Sequence, residues 1–474
     1  MGIIQNEYYQ KLRQNLVFNP TSGQDELLMM LASYVFEENT DDIFLIRGYA
    51  GTGKTSILSA LVRTLRSRRI PTVLMAPTGR AAKVLAAYSA FHASTIHRRI
   101  YFAMTAPDGS MMLTLQKNKL KNAVFLIDEA SMIPDERAGD NSGGRILLDD
   151  IMEYVFSGEN CKLIFVGDIA QLPPVGLKVS PALNPVYLKN AYKNNVRKYE
   201  LTEVVRQQQM SGILHNATKL RQVMLSKNYS FPFLDTYGFK DVIRISSAEL
   251  LDEIISSYDL AGQDDTVIIT RSNKRANQYN TAVRTQILQR ENEIEAGDVL
   301  MVVKNNYFWL EASSGAGFLA NGDLLEVMAI TTTEEKHGFR FANIEARMID
   351  YPDEPEINVK IILDTLSAEG PALSTAENNK LYNSVTASYA HITDRRELKQ
   401  KVRNDEYFNA LQIKFAYAMT CHKTQGGQWH TIFIDQGFIS PENTDLDYLR
   451  WLYTAVTRAT KRVYFINFPE EMFE

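Results

Sequence analysis

Eight residues, Gly48-Tyr49-Ala50-Gly51-Thr52-Gly53-Lys54-Thr55, carry the clearest chemistry in the sequence. They match G-x-x-x-x-G-K-[ST], a loop that wraps backbone amides around a polyphosphate. Gly48, Gly51, Thr52 and Gly53 let the chain turn tightly toward an anion, and the helix expected next adds positive potential. Lys54 has the charge to neutralise β- and γ-phosphates, and the Thr55 hydroxyl suits Mg²⁺. The chemistry is nucleotide binding, with ATP and Mg²⁺ as the expected cofactors. Further along, Leu126-Ile127-Asp128-Glu129 ends an apolar run in two carboxylates. Asp128 is placed to hold Mg²⁺ through water, and Glu129 to orient and deprotonate an attacking water. Gly167-Asp168-Ile169-Ala170-Gln171-Leu172-Pro173-Pro174-Val175 ends another apolar run. Its Gln171 amide could sense a γ-phosphate, and the two prolines stiffen the exit. Arg206 and Arg458, each among apolar or small residues, are the candidates to stabilise charge in a phosphoryl-transfer transition state.

These groups need elements that deliver them to one place. Apolar runs of strand length precede the phosphate loop (43–46), the Asp128-Glu129 pair (123–127) and Gly167 (163–166), with another at 73–76. Helical stretches separate them, including 22–37 and 56–62. That alternation predicts a parallel sheet covered on both faces, with ligands at the strand C-termini. A second set of the same kind is expected at 266–269, 415–419, 431–434 and 462–466, with helices at 273–288 and 449–458. Between the sets, residues 295–408 change to β-rich runs broken by turn signals such as Asn321-Gly322-Asp323. Ala106-Pro107-Asp108-Gly109, between Tyr101-Phe102 and Met111-Met112-Leu113, predicts a hairpin within 98–120.

The 474 residues allow about three domains, and 45% hydrophobic with 23% charged residues is the composition of a globular protein. A net charge of −5 gives no overall nucleic-acid signature, so basic contacts must be local. Two distant cysteines, Cys161 and Cys421, imply a reducing compartment without disulfides. Residues 1–16 lack a signal-peptide core, and no apolar run reaches the roughly 18 residues of a membrane span. A cytoplasmic, soluble protein is expected.

The ordered set resembles superfamily 1 helicases of the 1B group, the RecD-like and Dda-like enzymes that move 5′ to 3′ on DNA. Gln24, in Pro20-Thr21-Ser22-Gly23-Gln24, resembles the glutamine that reads adenine. Ala76-Pro77-Thr78-Gly79-Arg80 and Ser94-Thr95-Ile96-His97-Arg98 resemble single-strand contacts. Asp128-Glu129 matches motif II, Gly167–Val175 motif III and Arg206 the motif IV arginine. The run from Ala418 through His422, Lys423, Thr424 and Gln425 to Gln428 resembles motif V, and Tyr453-Thr454-Ala455-Val456-Thr457-Arg458-Ala459 motif VI. The match spans Gln24 to Arg458.

The resemblance implies an α/β fold of two RecA-like P-loop NTPase domains with two insertions. Domain 1A is expected at 1–210, with its inserted 1B hairpin, the separation pin, at 98–120. Domain 2A is expected at 211–294 and 409–474, and an SH3-like 2B insertion at 295–408. Nucleotide contacts would come from Gln24, Gly48, Gly51, Thr52, Gly53, Lys54, Thr55 and Gln428. Catalysis would fall to Lys54, Glu129, Gln171, Arg206 and Arg458, and Mg²⁺ to Thr55 and Asp128. Thr78, Thr95, His97, Arg271, Asn305, His422 and Thr424 would supply donors to DNA. Tyr307-Phe308-Trp309 either stacks bases or fills the barrel core. The expected activity is ATP-dependent unwinding of single-strand/duplex junctions by a monomer, in repair, recombination or replication with further protein partners. The alternatives are a motor subunit of a larger complex and a nucleotide-gated single-strand binder that does not unwind.

Overall fold

The computed structural model describes residues 2–37, 42–105, 111–135, 145–205, 211–229, 231–310 and 317–473. Arg206 and the hairpin tip Ala106–Gly109 lie outside them. The first unit begins with α1 (Ile3–Gln14) and α2 (Ser22–Phe36) and continues through β1 (Ile43–Gly48), α3 (Lys54–Ser67), β2 (Thr72–Ala76), α4 (Gly79–Ser89), β3 (Ala93–Thr95) and α5 (Ile96–Ile100). The antiparallel hairpin β4 (Tyr101–Thr105) and β5 (Met111–Leu115) follows, then β6 (Val124–Ile127), α6 (Leu147–Phe156), β7 (Lys162–Gly167), α7 (Pro185–Tyr192) and β8 (Val196–Leu201). The sheet runs β3-β2-β6-β7-β1-β8, every neighbouring pair parallel. Strands β6 and β7 are buried at every residue because separate apolar clusters cover the two faces. Full burial explains why they read as unbroken apolar runs.

The second unit contains α8 (Gly212–Ser226), β9 (Val242–Ile245), α9 (Leu250–Ala261), β10 (Thr266–Thr270) and α10 (Asn273–Ala282), which continues as a π-turn over Val283–Ile287. An inserted barrel follows: β11 (Val299–Val302), β12 (Leu324–Lys336), β13 (Phe339–Met348), β14 (Ile357–Ile362), helices α11 (Asp364–Ser367), α12 (Thr375–Ser388) and α13 (Arg395–Arg403), and β15 (Leu411–Phe415). The chain then completes the second sheet with β16 (Ala418–Thr420), β17 (Trp429–Asp435), α14 (Leu446–Val456) and β18 (Ala459–Ile466). That sheet runs β16-β10-β17-β18-β9 and is also parallel throughout. Among the described residues, no helix is long and apolar enough to cross a membrane.

The barrel closes later than the expected edge at 408. Its last strand, Leu411–Phe415, pairs with β11 and β14, and β16 starts three residues later in a different sheet. The single strand expected at 415–419 is therefore two, split at Ala416-Tyr417. A buried polar cluster fixes this root. Arg284 grips Asp298 through two 3.0 Å hydrogen bonds, Arg290 binds the same carboxylate, and Tyr417 donates to it at 2.9 Å. Asp298 is fully buried between two largely buried arginines, so removing its carboxylate would leave Arg284 and Arg290 without their shared counter-ion, at a cost of about 3–5 kcal/mol.

Candidate nucleotide site and nucleic-acid interface

The phosphate loop leaves β1 and enters α3. Gly51 and Gly53 have φ of +74° and +84°, left-handed values that only glycine adopts freely. A Cβ on Gly48 would come within 2.9 Å of Lys54 Cγ, so the loop closes on its own lysine. Lys54 Nζ donates to Gly48 O at 2.5 Å and Tyr49 O at 2.9 Å, and stands 4.0 Å from Asp168 Oδ2. Thr52 is fully buried, with its hydroxyl on Tyr49 O, whereas Thr55 is exposed in the first turn of α3.

Asp128 and Glu129 follow β6. Asp128 accepts from Tyr88 Oη at 2.5 Å and from Glu129 N at 2.9 Å. Burial, followed by the neighbouring Glu129 charge, pushes its carboxyl up to about 6. Glu129 has φ +51°, a strained left-handed value for a residue with a side chain. Arg458, only 3% exposed, reaches over from the second unit: Nη1 is 3.7 Å from Glu129 Oε1 and 3.1 Å from Gly427 O, while Nε donates to Thr454 O. Gln171, four residues past β7, is buried, and its amide oxygen has no hydrogen-bond partner among the described residues. A loop with glycine-only turns, a lysine, an exposed hydroxyl beside α3 and a carboxylate pair fit a Mg²⁺–nucleoside triphosphate, whose metal takes few protein oxygens.

Groups outside the predicted set close the cleft. Tyr453, on α14, donates to Asp168 Oδ2 at 2.6 Å and accepts from Ala50 N at 2.8 Å. Thr454 Oγ1 accepts from Leu172 N at 2.9 Å, and Gln425 donates to Leu172 O at 2.6 Å. One hydroxyl thus touches both the phosphate loop and the segment after β7 from the opposite unit. Tyr49, Ala170 and Leu172 even join the second unit's apolar core. Lower on the seam, the Arg80 guanidinium lies 3.9 Å over the Trp429 ring and donates to Asp264 O and Gln428 O.

Several of the expected contact residues also hold local structure. Gln24 lies against the phosphate loop. It is wholly buried, its amide oxygen accepting from Thr21 N and its nitrogen donating to Thr52 O at 2.9 Å, so it props the phosphate loop from beneath. Gln428 is exposed and meets Arg80 through its carbonyl. Thr424 is completely buried, its hydroxyl committed to Cys421 O, and Thr95 is buried as the cap of α5. The Thr424 hydroxyl donates within a local turn, whereas the Thr95 hydroxyl accepts from Arg98 N. Thr78 caps α4 and is partly exposed. His97 packs against Tyr101 and Phe318, and desolvation pushes its pKa down to about 4. Arg271 is exposed beside Tyr448 and Trp451. Asn305 accepts from Asn321 N, and His422 is exposed. In the aromatic run, Tyr307 lies against Phe318 and Trp309 donates to Asn409 O, so both are at least partly packed.

Fold and cleft together define a P-loop ATPase with two RecA-like units facing one another across a composite site. Two family profiles match: the AAA domain over residues 31–231 and the UvrD-like helicase C-terminal domain over residues 415–466. The ATP-dependent DNA helicase dda of Enterobacteria phage T4 is 23% identical over 89% of this chain and 93% of its own length. The ATP-dependent DNA helicase Pif1 of a Psychrobacter species is 25% identical over 81% of this chain, which spans 60% of that relative. Among solved structures, Bacteroides Pif1 in complex with ADP-AlF3 and ssDNA aligns over 96% of this chain and 95% of its own, at 16% identity and a TM-score of 0.46. Motif order and these sequence relatives together make the chain similar to superfamily 1B helicases.

Proposed function

We propose that this protein is an ATP-driven motor that moves 5′ to 3′ on single-stranded DNA and separates duplex at junctions. The observation that carries the reading is Arg458, delivered from the second unit to within 3.7 Å of Glu129 on the first. A residue that completes a hydrolytic site only when two bodies meet links turnover to their relative motion. The dda and Pif1 relatives are ATP-dependent DNA helicases, and the polarity follows from the superfamily resemblance. When bound, Mg²⁺·ATP supplies the free energy and a partly neutralised leaving group. Thr55 and Asp128 are the residues that would hold the metal. Lys54 would turn from its loop carbonyls toward the terminal phosphates. Glu129 would take the proton of the attacking water, and Gln171 and Arg458 would face the charge that develops. Arg206 is proposed as a further positive contact. Thr78, His97, Arg271, Asn305 and His422 are proposed to follow the strand, with the β4–β5 hairpin as the separating wedge.

Strand displacement on forks carrying a single tail tests the reading. We expect unwinding with a 5′ tail, none with a 3′ tail, and none with either in Lys54→Ala, together with ATP hydrolysis that rises strongly on adding single-stranded DNA. Displacement from the 3′ tail alone would overturn the polarity. Hydrolysis indifferent to DNA would overturn the motor.

A further inference from the structure

Asn305 and the chain neighbours of Thr78 and His422 meet at one turn of the barrel. Ala320–Asp323 leads into β12. Asn321 donates its backbone N–H to Asn305 Oδ1 at 2.7 Å, and its side-chain oxygen accepts from Lys423 Nζ, next to His422. Asp323 is 1% exposed. Its Oδ2 accepts from Ala320 N at 2.7 Å, but its Oδ1 is buried with no hydrogen-bond partner among the described residues. That bare oxygen faces the start of α4: a Cβ on Gly79, the first residue of this eleven-residue helix, would lie 2.8 Å from it. Around the same spot, Lys83 donates to Ile349 O at 3.2 Å and stands 3.9 Å from Asp350 Oδ1, and Gly426 packs on Thr78 and Ala81.

A helix N-terminus attracts an anion through its unpaired amides and its dipole. The start of α4, beside Thr78, suits a phosphodiester, a compact anion with several acceptor oxygens. In this structure the anion there is a side chain of the protein. Asp323 fits the place poorly, because one oxygen is left without a donor, and buried polar atoms of that kind are rare in folded chains. Burial, with a smaller contribution from Asp350, pushes its carboxyl up to about 7, which marks the same misfit.

We propose that the Asn321–Asp323 turn is a strand-mimicking latch: the Asp323 carboxylate holds the place of a backbone phosphate at the N-terminus of α4, so the turn and a single strand compete for one site. This rests on the DNA-motor reading above. Asn321 ties the turn to Lys423 of the second unit, and Asp323 reaches across to the first. Strand entry therefore requires the barrel to lift from α4, while the Asn321–Lys423 bond persists. The latch keeps the track shut until a strand with enough phosphates replaces the carboxylate.

The test is Asp323→Asn in the full-length protein, since the amide oxygen still accepts from Ala320 N and the turn is preserved. Fluorescence anisotropy with a labelled 15-nucleotide oligo-dT should show binding tightened about five- to tenfold at fixed salt, because a like charge has left the phosphate's place. Unchanged or weaker binding would overturn the latch. Hydrogen exchange on the unmodified protein gives a second readout that does not depend on the variant folding. Adding oligo-dT should speed exchange of amides 320–324 and slow those of 79–82, whereas protection of both segments together would overturn it. Absence of oligo-dT binding by both proteins would defeat the DNA-motor reading and the latch with it.

Discussion

Replacing Tyr453 by Phe keeps the ring in the core and removes one oxygen from the cleft. That oxygen donates to Asp168 at 2.6 Å and accepts from Ala50 N at 2.8 Å, and Tyr453 is 1% exposed, so water does not replace it. A hydrogen bond to a carboxylate contributes about 1.5–3 kcal/mol and a neutral amide bond about 0.5–1.5 kcal/mol. The closed cleft should thus lose about 2–4 kcal/mol relative to the open one. At 1.36 kcal/mol per factor of ten, that lowers the closed-to-open ratio about thirtyfold to several-hundredfold. Asp168 keeps its bond from Ala170 N and its approach to Lys54, so its charge is not left alone. The assay is steady-state ATP hydrolysis at saturating single-stranded DNA, with thermal melting followed in parallel to separate cleft opening from general unfolding. We expect turnover to fall at least tenfold. A variant that melts like the parent and turns over within twofold of it would refute the idea that this hydroxyl holds the two units together.

Glu129→Gln should retain nucleotide binding, measured with a fluorescent ADP analogue, while turnover falls by at least a hundredfold, as removal of a general base costs about 10²–10⁴; normal turnover would put the base elsewhere. His97 gives a pH prediction. Its folded pKa of about 4 lies below the unfolded value of about 6.5, so the folded state resists protonation. Stability should be full above pH 6.5, fall as the pH drops toward 4, and level off below; at pH 5 the loss is about 1–2 kcal/mol. Urea midpoints at pH 7.5 and pH 5 should converge between parent and His97→Gln by that amount on acidification, and parallel profiles would show that the ring titrates freely.

The elements that deliver the chemistry were legible because each ends a buried strand. Unbroken apolar runs before Gly48, Asp128 and Gly167 left little else for those segments to be, and the loop glycines appear at the left-handed positions the turn needs. Side chains that both cap turns and bind phosphates were not separable by type. Thr95 and Thr424 carry the right hydroxyl, but one also accepts from Arg98 N as a helix cap and the other donates to the Cys421 carbonyl. The bond from Gln24 to Thr52 O was not legible, since nothing in its neighbours shows that this carbonyl lies within reach. The cleft clasp was hidden differently. Tyr453 sits in a helix buried at nearly every position, where an aromatic reads as core, and its partners are more than 280 residues away in the chain. The break between β15 and β16 was lost because 411–419 is almost continuously buried, so burial alone carries no sign that the chain changes sheets.

The root of the barrel bears on how modular it is. Both crossings between the second unit and the barrel pass through the Asp298 carboxylate, with Arg284 and Arg290 before it in the chain and Tyr417 after the last barrel strand. Cutting the barrel out between 299 and 415 would join two ends that this cluster already holds, but Tyr417 would lose the Val299 amide it accepts from. A graft from a relative that replaced only the strands would import a foreign base onto a charge pair tuned to its own tyrosine. The exchangeable unit therefore begins at Arg284 and ends at Tyr417, and chimaeras joined at those residues should keep the motor's second sheet intact.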